Sequence, residues 1–211
     1  MIRPYHHGAL REALLGAAET ILERDGIGAL TLRAAAREAG VSHGSPAHHF
    51  CDLSGLLSAL AASGFTRLRE RMQAEAEAAG PDAHAHVIGL GRGYVGFARA
   101  HSALFLLMFR SERLDWTQPA LAAEGAAAFA LLTDAGTQSA SPSLPSLAEA
   151  TARWSLAHGL SMLLIDGRLG PLTSRVAQLD VETFVEAVLT RGVHLDDSNK
   201  PQGRRSSGFL P

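Results

Sequence analysis

The sequence predicts an all-α protein, on three observations. Its nine prolines fall at 4, 46, 81, 119, 142, 145, 171, 201 and 211 and leave long proline-free stretches between them. Those stretches are rich in Ala, Leu, Arg and Glu, which lose little side-chain freedom in a helix. β-Branched residues are sparse, and no run of alternating apolar and polar residues is long enough for a strand.

Composition narrows the class further. With 211 residues, 46% of them hydrophobic and 19% charged, the chain can bury a substantial core and is neither a disordered polymer nor a coiled-coil rod. No apolar run approaches the ~18 residues of a membrane span, since His158, Gly159 and Ser161 interrupt the best candidate at 156–165. Tyr5-His6-His7-Gly8 stands where the apolar core of a secretory signal would have to begin. The single cysteine, Cys51, allows no intrachain disulfide, so a cytoplasmic setting is the expectation. A formal charge of −2 excludes a globally basic polyanion binder but not a local one.

The elements follow in order. Helix one is expected over 8–24, where Leu10, Leu14, Ala17, Ala18, Ile21 and Leu22 recur at helical spacing before Gly26 ends it. Thr31 is a natural N-cap for a short second helix that stops before Gly40. Ser42 is expected to cap a third short helix reaching Phe50, and Asp52 or Ser54 a long fourth one that stops at Gly80-Pro81. Further helices are placed near 82–100, 102–110, 118–136, 146–167 and 175–192. The Ser/Pro-rich stretch 136–146 reads as a loop, and 196–211, with little to bury, as a disordered tail.

The informative stretch is LTLRAAAREAGVSHGSPAHHF, residues 30–50. Two short helices separated by Ala39-Gly40-Val41-Ser42 have the form of a helix-turn-helix. Ala36 is small enough for the third helix to cross closely over the second. Gly40 can take the positive φ that ends one helix and re-aims the chain, and Val41 fills the angle between them. Helix one supplies the third wall.

These residues resemble the TetR family of transcriptional regulators. The resemblance rests on the T-L-R-x-x-A-x-x-A-G-V-S pattern from Thr31 to Ser42, on His49-Phe50, and on D-x-x-x-L-L from Asp52 to Leu57. In the second half, Trp154, His158 and Gly159 (WSLAHGL), with HSALFLLMF at 101–109 upstream, resemble the ligand-binding domain named for its W-H-G residues. The resemblance implies a helix-turn-helix DNA-binding domain over 1–52, a helical ligand-binding and dimerisation domain over 53–195, and a tail over 196–211. It implies a homodimer that binds double-stranded DNA at a palindromic operator, as a repressor released by a small apolar or amphipathic effector. No enzyme activity, cofactor or membrane partner is expected.

On that reading Ser42, His43, Gly44, Ser45 and His48 approach base edges, with Ala47 and Thr31 beside them. Arg33, His6 and His7 are phosphate candidates; His49 either joins them or packs beside Phe50. Ala47 and Leu53 depart from the family, which commonly carries tyrosine and lysine there. Pro46 removes one backbone donor from the recognition helix, tolerably so near its first turn. Residues 1–60 carry five arginines (3, 11, 24, 33, 37) against six carboxylates (12, 19, 23, 25, 38, 52), a net −1 that is unusual for a phosphate binder. Five of the ten histidines (6, 7, 43, 48, 49) lie in the same segment. Because a phosphate field favours imidazolium, operator affinity is expected to rise as pH falls from about 8 to 6.

For the second half, the expected effector-facing set is Tyr94, Phe97, His101, Phe105, Met108, Phe109, Trp116, Trp154, His158 and Met162. Trp154, His158 and Met162 share one stripe at i, i+4, i+8. His158 leads the polar candidates, because a buried imidazole demands a partner. The dimer is expected to use the small-residue stripe Ala152, Ser155, Gly159 and Leu163 together with Val181, Phe184, Val185 and Val188. Two rival readings remain at this point: a metal sensor built on His43, His48, His49 and Cys51, and a helical protein-interaction module. No nucleophile–base or paired-acid constellation is present, and Asp166-Gly167 and His84-x-His86 stand alone.

Overall fold

A computed structural model describes residues 7–134, 143–176 and 178–197. Its helices are α1 (His7–Asp25), α2 (Leu32–Glu38), α3 (Ser45–Phe50), α4 (Leu53–Ala78), α5 (Ala83–Ala100), α6 (Ser102–Arg110), α7 (Pro119–Asp134), α8 (Leu144–Ile165), α9 (Gly170–Thr173) and α10 (Val181–Asp197), with a 3-10 turn at Ile27–Ala29. Among the described residues there is no strand.

The first three helices form a small head. Leu14, Ala18, Ile21 and Leu22 of α1 are buried against Leu30, Ala35 and Phe50. Gly26 (φ 79°) and Gly40 (φ 67°) both take a positive φ where a helix ends. Thr31 caps α2, its hydroxyl accepting from the Ala34 N–H at 3.0 Å. Ala36 is fully buried and its carbonyl accepts from the Val41 N–H, which closes the turn.

The third helix differs from its expected form. It begins at Ser45, not after Ser42, and its N-cap is Gly44, which makes no side-chain cap. The Ser42 hydroxyl is instead hydrogen-bonded to that of Ser45, at 2.7 Å. Pro46 thereby falls in the first turn, where no intrahelical N–H bond is lost. Cys51 (φ 61°, ψ −62°) then forms a γ-turn in which the Asp52 N–H reaches the Phe50 carbonyl. Asp52, not Ser54, caps α4, accepting from the Gly55 N–H at 2.8 Å.

Helix α4 is the axis of the molecule. It leaves the head and is flanked by α5, α6 and α7, and one core runs without a break from Leu14 in α1 to Leu132 in α7. The approach to α5 is close, because Gly89 and Gly93 lie against the α4 backbone: a Cβ on either would stand 2.6 Å from a backbone atom of Glu75 or Met72. A second apolar cluster joins Val95 of α5 and Leu160 of α8 to Leu169, Val185 and Leu189. The last long helix therefore starts at Val181 rather than near 175, with α9 ahead of it, and includes Asp196 and Asp197. The rest of the expected tail lies outside the described residues.

Candidate functional site

Two features follow from this framework. The first is the outer face of the head. Arg33, Ser42, His43, Gly44, Ala47 and His48 are exposed there, Thr31 is exposed beside its cap, and Ser45 is half-buried. His49 is half-buried, its ring 6.2 Å from that of Phe50, so it is partly drawn into the core. His6 and the His7 side chain lie outside the described residues. Of the remaining arginines, Arg24 is turned to Asp25 (2.9 Å) and Glu38 (3.2 Å), and Arg11 lies over the Phe50 ring at 5.4 Å. Arg33 and Arg37, both exposed on α2, take part in neither of these contacts. Among the described residues no three His, Cys, Asp or Glu side chains are grouped to hold a metal, so His43, His48, His49 and Cys51 form no such centre.

The second feature is a cavity of about 280 Å³ in the helical body, partly open to solvent beside Trp116. Phe65 and Leu68 of α4 form one wall; Tyr94 of α5, and Met108 and Phe109 of α6, form the next. Ser111, Trp116, Gly125, Ala128, Phe129, Leu132 and Trp154 complete the lining. Edge-to-face ring pairs, Phe65 with Phe109 at 5.4 Å and Phe129 with Trp154 at 5.5 Å, stiffen it. Gly125 makes room for the half-exposed Trp116 indole, which a Cβ would meet at 3.1 Å.

At the back of the cavity runs a short polar chain. The Trp154 indole N–H donates to the Tyr94 hydroxyl oxygen at 3.2 Å, and that hydroxyl is hydrogen-bonded to His158 Nδ1 at 2.9 Å. Burial raises the Tyr94 phenol well above its ordinary value, the Trp154 bond opposing in part. Burial, followed by the Arg110 charge, holds the His158 imidazole below its ordinary value. Both groups are therefore neutral near pH 7.

Five of the expected effector residues line this space: Tyr94, Met108, Phe109, Trp116 and Trp154. The others do not. His158 stands behind Tyr94, and Phe105 is fully buried edge-on to Tyr94 at 5.6 Å. Met162 is buried in the main core. Phe97 and His101 face the opposite way, toward the head: Arg67 lies over the Phe97 ring at 5.9 Å and donates to the His101 ring at 3.0 Å. The same guanidinium holds Glu19 of α1 in a two-pronged pair at 2.7 and 2.8 Å. Nearby, Glu23 of α1 accepts from the Leu104 N–H in the first turn of α6, at 3.2 Å. Phe65 and Leu68 are not among the expected residues, because α4 reads as a connector; their signal is that Leu57, Leu60, Phe65, Leu68 and Met72 continue its apolar face.

On α8, Ala152, Ser155 and Leu163 are exposed and a Cβ on Gly159 would meet nothing, which leaves that stripe open. Val185, expected beside it at a dimer contact, is instead buried at 5% exposure within the subunit. Val181, Phe184 and Val188 are half-buried against the same cluster. The reason is the close fit of α10 to the rest of the chain, where a Cβ on Gly192 would overlap Leu156.

A helix-turn-helix head, a long helix that is both connector and cavity wall, and an aromatic chamber behind it define a class: one-chain proteins joining a nucleic-acid reader to a helical pocket. Residues 87–191 match the family described as Tetracyclin repressor-like, C-terminal domain. A protein of unknown function from Rhodococcus sp. RHA1 is 34% identical, with a TM-score of 0.73 over 92% of this chain and 97% of that one. A TetR family transcription regulator from Marinobacter aquaeolei VT8 shares 16% identity (TM-score 0.61, 88% and 95% covered). A TetR transcriptional regulator from Rhodococcus sp. RHA1 shares 17% (0.60, 93% and 100%). These two likenesses are of fold. No curated protein matches the chain. The chain belongs to the TetR family of transcriptional regulators.

Proposed function

We propose that this TetR-family protein is a cytoplasmic, non-enzymatic homodimeric repressor that holds a palindromic operator through its two α3 helices and lets go when a small molecule fills the cavity. The observation that carries the reading is that α4 serves both ends: Phe65 and Leu68 wall the cavity, and the first turn of the same helix is joined to α3 through Cys51 and Asp52. No helix of the described residues is long and apolar enough to cross a membrane.

Coupling follows from packing. An occupant that displaces Phe65 or Leu68 moves α4, and Gly89 and Gly93 lock α5 to it so that the two shift together. Pressure on Met108 and Phe109 is carried along α6 to its first turn, where Glu23 of the head is bound. Either motion re-aims the recognition helix. An effector shifts this balance only by its difference in affinity for the two head positions. The W-H-G likeness acquires a role here: Trp154 and His158 meet at the Tyr94 hydroxyl, while Gly159 lies on the open α8 face that is assigned to the partner subunit.

The test is selection of bound duplexes from a random pool by the full chain, with sedimentation to read its mass. The expected result is a dimer and an enriched palindrome whose half-sites lie about one helical turn, or somewhat more, apart. A monomer, or recovery of unenriched sequence at the affinity of non-specific duplex, would overturn the proposal.

A further inference from the structure

We infer that the occupant of the cavity is a neutral, flat, bicyclic aromatic molecule bearing one hydroxyl group. This rests on the effector reading above and adds the chemical class of the ligand.

Size comes first. An apolar cavity of ~150 Å³ holds one benzene ring. The present one, at about 280 Å³, therefore has room for roughly eleven non-hydrogen atoms, the size of naphthol. Charge comes next: among the described residues, no Asp, Glu, Lys, Arg or His lines it. An ion entering it would shed its water with no opposite charge to meet. Shape follows from the wall, in which Phe65, Tyr94, Phe109, Trp116, Phe129 and Trp154 present six aromatic side chains to the space. Such a wall favours a rigid ring system over a flexible chain, since rings meet rings with little conformational entropy to lose.

The hydroxyl group is specified by the polar chain at the back. An indole N–H can only donate, so the Tyr94 oxygen must accept from Trp154. The bond between Tyr94 and His158 Nδ1 can run either way. If Tyr94 donates, its oxygen keeps one unused lone pair. If Nδ1–H donates, both lone pairs are filled and the phenolic hydrogen is unused. In each case Tyr94, 1% exposed and set in the cavity wall, has one hydrogen-bond place open. A ligand hydroxyl both donates and accepts, and so fills that place in either tautomer; a hydrocarbon fills neither.

The chain's two tryptophans, Trp116 and Trp154, both line the cavity, so intrinsic fluorescence of the full-length protein reads occupancy directly. The probes are 2-naphthol, naphthalene, 2-naphthoate and 2-naphthylmethylammonium, each titrated against the wild type, Tyr94→Phe and the cavity-filling Ala128→Phe. The expected order puts 2-naphthol roughly fivefold tighter than naphthalene, the value of one net hydrogen bond. Both ions are expected to bind at least tenfold more weakly than 2-naphthol. Tyr94→Phe should bring 2-naphthol down to the naphthalene level; Ala128→Phe should abolish binding of all four. An ion that binds as tightly as 2-naphthol, a 2-naphthol preference that survives Tyr94→Phe, or no binding of any probe would overturn the inference. If 2-naphthol binds as expected and operator affinity does not change, the ligand class stands and the effector reading fails.

Discussion

Substituting Gly93 by alanine tests whether α4 and α5 are in backbone contact, the condition for one to carry the other. The added Cβ would stand 2.6 Å from Met72 Cα, 2.8 Å from the Arg71 carbonyl oxygen and 2.9 Å from Met72 N, all atoms that cannot turn aside as a side chain can. The helices must part by about 1 Å to restore ordinary contact, and overpacking of this kind costs about 1–3 kcal/mol. Against this, alanine gains ~1 kcal/mol over glycine in a helix interior. The net expectation is a loss of roughly 1 kcal/mol. Gly16→Ala is the matched control, because Gly16 lies within α1, is exposed, and a Cβ there meets nothing within 4 Å. It should gain up to ~1 kcal/mol from propensity alone. At 2–4 °C per kcal/mol, the two variants should differ in thermal midpoint by about 4–8 °C. Circular dichroism at one protein concentration measures this, since a dimer's midpoint depends on concentration. Equal stabilisation by both substitutions would refute the close approach and with it the coupling of α5 to α4.

Other consequences are checked more simply. Because burial and then Arg110 depress the His158 imidazole below its ordinary 6.5, the unfolded chain binds more protons than the folded one beneath that value. The stability tied to this group is whole above pH 6.5 and falls as pH drops below it; the denaturation midpoint of His158→Gln should therefore fall less between pH 7.5 and 5.5 than that of the wild type. Asp52→Ala removes the α4 cap and should cost about 1 kcal/mol in urea unfolding. Arg33→Ala, at an exposed arginine of α2, should flatten the salt dependence of operator binding by about one unit of log–log slope per subunit.

What was legible in the sequence was local. Thr31 caps α2 and Gly40 turns the chain because a hydroxyl three residues from an N–H and a residue without a Cβ act on their immediate neighbours. Ser42 departs from its expected role for the same kind of reason: its hydroxyl has a partner in Ser45, and the helix starts two residues later with Gly44 as its N-cap. The cavity was harder to read, because helical spacing places residues on a face without saying which neighbour the face meets. Tyr94 and Phe97 are three residues apart on α5, yet one looks into the cavity and the other under Arg67 toward the head. Phe65 and Leu68 do not read as cavity wall from sequence, because the helix that carries them also joins the head to the helical body. Val185 faces inward because Gly192 lets α10 settle onto Leu156 of the same chain, a fit that helical spacing alone does not reveal.

Cys51, the chain's single cysteine, is exposed and immediately follows α3, so a spin label there marks the recognition helix without any added cysteine. Dipolar distance measurement on the labelled protein, bound to its selected operator, tests the central claim that two α3 helices are carried on a dimer and re-aimed from the cavity. One narrow distance on the scale of a helical turn, ~35 Å, is expected on DNA, changing when 2-naphthol fills the cavity and releases the duplex. Labels that show no dipolar coupling, or a distance that stays the same with the cavity filled, would contradict the account.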